Sequence, residues 1–287
     1  MKVNSLKRND PGFPEILAQI SSPPKEVFVL GAPFEDWIDL PKVAIVGARK
    51  VSTYGREVTE RLAADLASSG VVVISGLALG TDSIAHKAAL DAGGITVAIM
   101  PGGLDRVYPA SHTNLARQIL MGKGALVSEY PAGANIYKQN FIARNRIVSG
   151  LADALLVTEA AAASGTIHTA RFALDQGKTV MAVPGNITSP MSEGTNNLIK
   201  SGALPVTSAD DILFALGVEP GKHKKQKLFK GSPLEEKVLK LIMDGTASQE
   251  ELAVVLGIDG SQLGPVLTML EINGHIRPAG GGFWLAV

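Results

Sequence analysis

From Lys42 onward, short uninterrupted apolar runs alternate with longer stretches of helical periodicity. Val43–Val46 is the first run; the loop Gly47-Ala48-Arg49 follows it, and a helical pattern then extends from about Gly55 to Ser68 and stops at Gly70. Val71–Ile74, Ile95–Met100, Ala125–Val127, Ala154–Val157 and Thr179–Val183 repeat the strand signal. Helical patterns fall between them at Asp82–Ala92, near Thr113–Met121, near Phe141–Ser149 and from Thr166 to Gln176. Strands apolar on both faces and joined by helices predict an α/β fold with a doubly wound, mostly parallel Rossmann-like sheet. Ligands of such sheets sit beyond the carboxyl ends of the strands. The loops to inspect therefore begin at Gly47, Ser75, Pro101, Ser128, Thr158 and Pro184.

The ends of the chain follow other patterns. Residues 1–40 form a lead segment with Pro11, Pro14, Pro23, Pro24 and Pro33, whose apolar residues suggest a short helix and a strand packing on the next domain. The Rossmann-like domain is expected over 41–220. A basic linker follows at 221–231, where Gly-Lys-His-Lys-Lys-Gln-Lys-Leu-Phe-Lys occupies 221–230. Residues 232–287 predict three helices (Pro233–Met243, Ser248–Leu256 and Ser261–Asn273) and two short strands around Gly280–Gly282, a small winged-helix domain. Ser248 and Glu251 have the spacing of a capping box.

Composition narrows the chemistry. Of 287 residues, 46% are hydrophobic and 19% charged, so a substantial core is available and low-complexity disorder is not expected. Lys+Arg and Asp+Glu both total 27, so any surface attracting nucleic acid must be local. With no cysteine there is no disulfide framework, thiolate zinc site or Cys nucleophile, which suits the cytoplasm. The start has basic residues without an apolar run behind them, unlike a signal peptide, and no stretch of about 18 apolar residues predicts a membrane span.

Several loops can hold an anion. Gly47-Ala48-Arg49 follows the first parallel strand, where backbone N–H groups and a bidentate guanidinium would take a phosphate; an ordinary turn with a solvated Arg is the plain alternative. Arg49 stands where a dinucleotide fingerprint has its second glycine, which argues against NAD or FAD. Gly76–Gly80 leads into a helix with Thr81 as the expected N-cap, and His86, one turn beyond Asp82, could pair with it. Ser164-Gly165-Thr166 opens another helix at the sheet's carboxyl edge. Gly177-Lys178-Thr179 ends a helix and lacks the first Walker glycine, so no ATP site is expected; histidine spacing gives no metal site, and no cofactor is expected.

The stretch 131–150 carries Lys138, Arg144 and Arg146 with Tyr137 and Phe141 interleaved, and no Asp or Glu. Cations beside a ring that can stack a base make a platform for single-stranded nucleic acid; a solvated helix start with Phe141 in the core is the plain alternative. The third helix of the C-terminal domain has no Lys or Arg, so a structural or protein-contacting role suits it better than groove reading.

Taken together, Val43–Gly55, Ser75–His86, Val107-Tyr-Pro109, Ser128-Glu-Tyr-Pro131, Phe141–Arg146, Ser164-Gly-Thr166, Pro184-Gly-Asn186 and 193–198 resemble the DprA (DNA-processing, Smf) family over roughly 14–216. The resemblance implies an extended Rossmann domain that forms a homodimer and binds single-stranded DNA. It further implies a non-enzymatic role, protecting incoming DNA and loading RecA recombinase during natural transformation. Carried over by position, Gly47 and Arg49 would bind phosphate, and Ala48 and Gly76 would belong to the same single-strand-binding set. Lys138 would add charge, Phe141 would contact a base, and Arg146 would belong to the single-strand-binding set. Arg144, Asn145, Ser164, Gly165 and Thr166 would shape the pocket. Longer members carry an N-terminal sterile-alpha-motif-like domain, of which only a lead resembling its tail is expected here.

Two other functions compete. A nucleotide phosphoribohydrolase resembling the LOG family would need a glutamate where Thr169 stands, and a hydroxyl is no general base near neutral pH. A duplex-DNA regulator would need cations on the third helix of the winged-helix domain.

Overall fold

The computed structural model describes residues 2–218, 232–243, 245–246 and 248–286, and the chain divides into two compact units, Met1–Lys224 and Lys225–Val287. The expected basic linker at 221–231 lies outside the described residues.

In chain order the first unit contains β1 (Asn4–Lys7), α1 (Glu15–Ala18), β2 (Glu26–Gly31), β3 (Lys42–Val46), α2 (Thr53–Ser68), β4 (Val72–Ser75), α3 (Thr81–Asp91), β5 (Thr96–Ile99) and α4 (Thr113–Met121). It continues with β6 (Ala125–Ser128), α5 (Lys138–Gly150), β7 (Ala154–Val157), α6 (Thr166–Asp175), β8 (Thr179–Ala182), α7 (Glu193–Lys200), β9 (Leu204–Pro205) and α8 (Ala209–Ala215). One nine-stranded sheet runs β1-β2-β6-β5-β4-β3-β7-β8-β9. Every pairing from β6 to β9 is parallel, as the apolar strands predict.

Alternate residues of each strand serve the two faces. Ala44, Val72, Ile74, Val97 and Ile99 join Leu17, Trp37, Ile147 and Ala170 on one side. Val43, Ile45 and Val73 join Leu62, Leu66 and Ala85 on the other. Lys42 is buried at the start of β3, and its ammonium is satisfied by the Ile38 and Leu40 carbonyls at 2.8 and 3.0 Å and by Asp153 at 3.2 Å.

The lead segment is part of the sheet rather than a layer packed on it. β2 pairs antiparallel with β6 (Phe28 opposite Ser128) and β1 pairs antiparallel with β2. Leu17, Phe34 and Trp37 are buried with it. An antiparallel edge needs no crossover helix, so the alternation that marks the parallel strands is missing there.

β3 has β4 on one side and β7 on the other. The chain therefore winds away from β3 in one direction and returns to pair its opposite side. Loops leaving neighbouring strands β3 and β7 diverge at this reversal and leave a crevice between them.

The second unit contains α9 (Pro233–Met243), α10 (Gln249–Leu256), α11 (Gly260–Ile272), β10 (Ile276–Gly280) and β11 (Phe283–Ala286). The two strands form an antiparallel wing with a register shift between Pro278 and Gly280. Val238, Ile242, Leu252, Leu263, Leu267, Leu270 and Ile276 form its own core, and the winged-helix expectation holds. Ser248 caps α10 by accepting the Glu251 amide at 3.2 Å. α11 begins one residue earlier than expected because Asp259 caps it, accepting the Ser261 and Gln262 amides.

Candidate nucleic-acid interface

The crevice is assembled by small residues that let three loops touch. A Cβ at Gly47 would lie 2.4 Å from the Thr81 hydroxyl and 2.9 Å from the Glu159 carbonyl. The Ala48 amide donates to that carbonyl at 2.8 Å, and the Thr81 amide donates to the Ala48 carbonyl at 3.1 Å. From the third loop, the Thr166 hydroxyl donates to the Gly47 carbonyl at 2.9 Å. Ser164 accepts the Thr166 amide at 3.2 Å and donates to the Thr166 hydroxyl at 3.0 Å, closing the turn that leads into α6, while Gly165, the N-cap, stays exposed with open space around it. The loops after β3, β4 and β7 are thus tied together at Gly47.

At the mouth of this knot Arg49 is exposed, with its guanidinium over the Phe141 ring, 5.6 Å from the centroid. Phe141 is half-buried in the first turn of α5, and Tyr108 meets it with ring centroids 5.3 Å apart and planes at 68°. Lys138, the first residue of α5, is exposed and makes no ion pair among the described residues. Gly47, Arg49, Phe141 and the Ser164–Thr166 turn are joined by these contacts around the β3–β7 reversal.

Other expected residues fall elsewhere. Arg144 is only 4% exposed and turns inward, donating to the Gly76 and Ile99 carbonyls and to Asn145 Oδ1. Burial, and secondarily the nearby Arg49 charge, lowers its pKa to about 10 against the raising effect of Asp82, so it stays protonated. Gly76 is small to admit that guanidinium, which a Cβ would approach to 2.5 Å. Arg144 and Gly76 therefore brace the interface from beneath, and the half-buried Asn145 accepts from Arg144. Arg146 is held bidentately by Glu129 at 2.6 and 3.1 Å. It lines a separate hollow of about 440 Å³ with Pro23, Pro24, Lys25 and Glu26. The stretch 131–150 lacks acidic residues, but Glu129 just before it neutralises one of its three cations.

The loop before α3 also departs from expectation. Gly80, at φ +80°, is the N-cap and Thr81 is the first helical residue. Asp82 accepts the Gly76 and Ala78 amides at 3.0 and 3.2 Å instead of meeting His86. His86 Nδ1 pairs with Thr96 at 2.6 Å.

Sequence reasoning missed two residues. Tyr108 lies on the loop after β5, and only the fold brings it to Phe141. Glu159 is 2% exposed, and its carboxylate accepts the Ser52 amide at 2.9 Å and the Ser52 hydroxyl, at the N-terminus of α2. Gly55 keeps room for it, since a Cβ there would lie 2.5 Å from Oε2. A carboxylate two residues beyond an apolar strand was the available signal. No group of three or more His, Asp or Glu side chains suited to a metal ion occurs among the described residues.

The DNA recombination-mediator protein A family model matches residues 4–217, and the DprA winged helix domain model matches 222–282. Protein Smf of Escherichia coli is 46% identical over 172 residues, covering 60% of this chain and 46% of that protein. A putative DNA processing protein DprA of Mycobacterium tuberculosis is 40% identical over 259 residues, covering 88% of this chain and 66% of its own length. The match thus spans less than two thirds of either relative. The X-ray structure of DNA processing protein A from Streptococcus pneumoniae superposes with a TM-score of 0.69 at 38% identity, covering 74% of both chains. DNA processing protein A from Helicobacter pylori, described for its single-stranded DNA binding mode, gives 0.66 at 31% identity, covering 75% of this chain and 95% of its own. The chain belongs to the DNA recombination-mediator protein A (DprA) family.

Proposed function

We propose that this protein binds single-stranded DNA at the β3–β7 crevice, protects incoming strands and hands them to RecA recombinase in the cytoplasm during natural transformation, acting as a homodimer through its first unit and without a catalytic step. The carrying observation is the Arg49–Phe141–Tyr108 cluster, with the exposed Lys138 three residues before Phe141 on α5. Exposed cations give a backbone-tracking charge, and rings beside them accept bases that only an unpaired strand can present. Single-strand binding by the Helicobacter pylori relative supports the same ligand. The competing phosphoribohydrolase reading would need a carboxylate at position 169, where Thr169 is buried.

Fluorescence anisotropy with labelled oligo-dT and a matching blunt duplex tests this. Wild type is expected to prefer the single strand, and Arg49→Ala and Lys138→Ala each to weaken it several-fold. Equal affinity for the duplex, or no loss in either variant, rejects the site. The RecA step is read from RecA ATP hydrolysis on strands already coated by a single-strand-binding protein, where stimulation is expected. Sedimentation reads the homodimer.

A further inference from the structure

We infer that Tyr108 is a second base-stacking residue of this site and that its angle to Phe141 forces the bound strand to kink, a step that rests on the single-strand reading above. Phe141 is half-buried and carries the Arg49 guanidinium over its ring, so part of its surface is already taken. Tyr108 is the more open ring: it is 47% exposed, and its hydroxyl makes no hydrogen bond among the described residues. An exposed aromatic without a polar partner, packed against the ring that carries a guanidinium, suits the π-face of an unpaired base.

The ring is positioned by tied loops. His112 Nδ1 donates to the Leu77 carbonyl at 2.8 Å and the His112 amide donates to the Pro109 carbonyl at 2.9 Å. Those bonds fasten the segment after Tyr108 to the loop after β4. Before it, Asp105 accepts the Gly133 amide at 3.0 Å, joining the same segment to the turn that leads into α5. Tyr108 and Phe141 therefore arrive together, and little further ordering is needed when a strand binds.

The angle carries the specificity. Two consecutive bases in a helical stack lie nearly parallel, whereas the rings of Tyr108 and Phe141 are inclined at 68°. Bases stacked one on each ring must separate from each other, so the strand kinks there and loses one base–base stack. That loss is smallest for thymine runs and largest for adenine runs, which stack on themselves most strongly. A duplex, whose bases are held parallel by pairing, does not fit the corner. Tyr108 thus gives the site a preference for flexible pyrimidine strands that charge alone would not produce.

Anisotropy titrations of oligo-dT and oligo-dA against wild type, Tyr108→Ala and Tyr108→Phe test this. The ring lies on the surface, and Phe keeps it, so the pair separates stacking from folding. Wild type is expected to favour oligo-dT over oligo-dA several-fold. Tyr108→Ala should weaken oligo-dT about tenfold and flatten the dT/dA ratio, while Tyr108→Phe stays within about twofold of wild type. Photo-crosslinking of a 5-iododeoxyuridine strand should modify the peptide that contains Tyr108. Wild-type oligo-dT affinity in Tyr108→Ala, or an equal loss on both strands, overturns the inference; if Arg49→Ala still weakens binding in that case, the single-strand reading stands. Failure of wild type to bind either strand removes both.

Discussion

Gly76 is gripped from two sides. Its amide donates to Asp82 and its carbonyl accepts from Arg144, both of them buried side chains. Burial raises the Asp82 pKa despite the opposing effects of Arg144 and the Ala78 and Gly76 amides. His86 lies in the same buried region. The Thr96 hydroxyl donates to the Val73 carbonyl at 2.7 Å, so it accepts from His86 Nδ1–H and leaves Nε2 unprotonated, with no hydrogen-bond partner. Adding a proton at Nε2 would place an unpaired charge in the core beside Arg144. Burial first, then His112 and Arg144, lower the His86 pKa to about 3. Between that value and the unfolded value of about 6.5, the unfolded chain binds a proton that the folded chain refuses. Folding stability therefore falls as pH drops below about 6.5, by up to about 1.4 kcal/mol per unit from this residue. Asp82, with its raised value, acts in the opposite direction, so the histidine is isolated by comparison. Urea midpoints from pH 7 to 4 should fall more steeply in wild type than in His86→Gln, whose lower starting stability reflects the lost Thr96 bond. Parallel curves would mean that His86 is not the titrating group.

At the scale of elements, the interface depends on how closely the loop before α3 approaches the loop after β3. Gly80 has φ +80° and ψ −128°, a conformation open to glycine and strained for other residues, and a Cβ there would lie 2.3 Å from the Ala48 carbonyl and 2.6 Å from that of Arg49. Gly80→Ala should cost at least ~1–3 kcal/mol of stability and weaken oligo-dT binding, because relief of the clash moves the residue that carries the guanidinium. Gly177 is the control: its φ is +67° but nothing lies within 4 Å, so Gly177→Ala should cost only about 1 kcal/mol and leave binding intact. If both variants bind like wild type, the position of Arg49 does not depend on this contact. The parallel strands and their carboxyl-end loops were legible because strands buried on both faces are uninterrupted in apolar character. The strand of the lead segment was legible as well, but its place within the sheet was not, since antiparallel pairing with β6 needs no crossover helix to announce it. The stretch 131–150 was only partly legible: counting cations grouped Arg144 and Arg146 with Lys138. The spacing of Asn140, Arg144 and Ile147, at i, i+4 and i+7, marks the buried face of α5 and held the opposite message for Arg144. The Arg146–Glu129 pair spans two elements, and the meeting of Tyr108 with Phe141 follows from strand order; local pattern reveals neither.

For the whole chain, equal numbers of acidic and basic residues mean that any grip on DNA is confined to a few local cations, and salt dependence can count them. Around the crevice Arg49 and Lys138 are exposed, and Lys50 beside Arg49 is exposed as well. Arg146 is committed to Glu129 and Arg144 is buried, so neither adds to the count. On single strands each neutralised phosphate contributes about −0.7 to the slope of log K against log salt. Three cations therefore give a slope of about −2, and Arg49→Ala should reduce its magnitude by about 0.7. The winged-helix unit is a distinct body with its own core, and α11 carries no Lys or Arg. Leu263→Ala, which opens that core, should consequently leave both affinity and slope unchanged while lowering the thermal transition of the second unit. The five lysines between Gly221 and Lys230 are the other concentrated positive charge in the sequence. If they gripped the strand together with the crevice, the slope would steepen by about 3.5, to beyond about −5. An oligo-dT titration from 50 to 400 mM salt separates the two cases. A slope near −2 that shrinks in Arg49→Ala places the grip at the crevice. A slope beyond about −4 that ignores Arg49 would transfer it to those lysines, because no arrangement of three cations can release that many counterions.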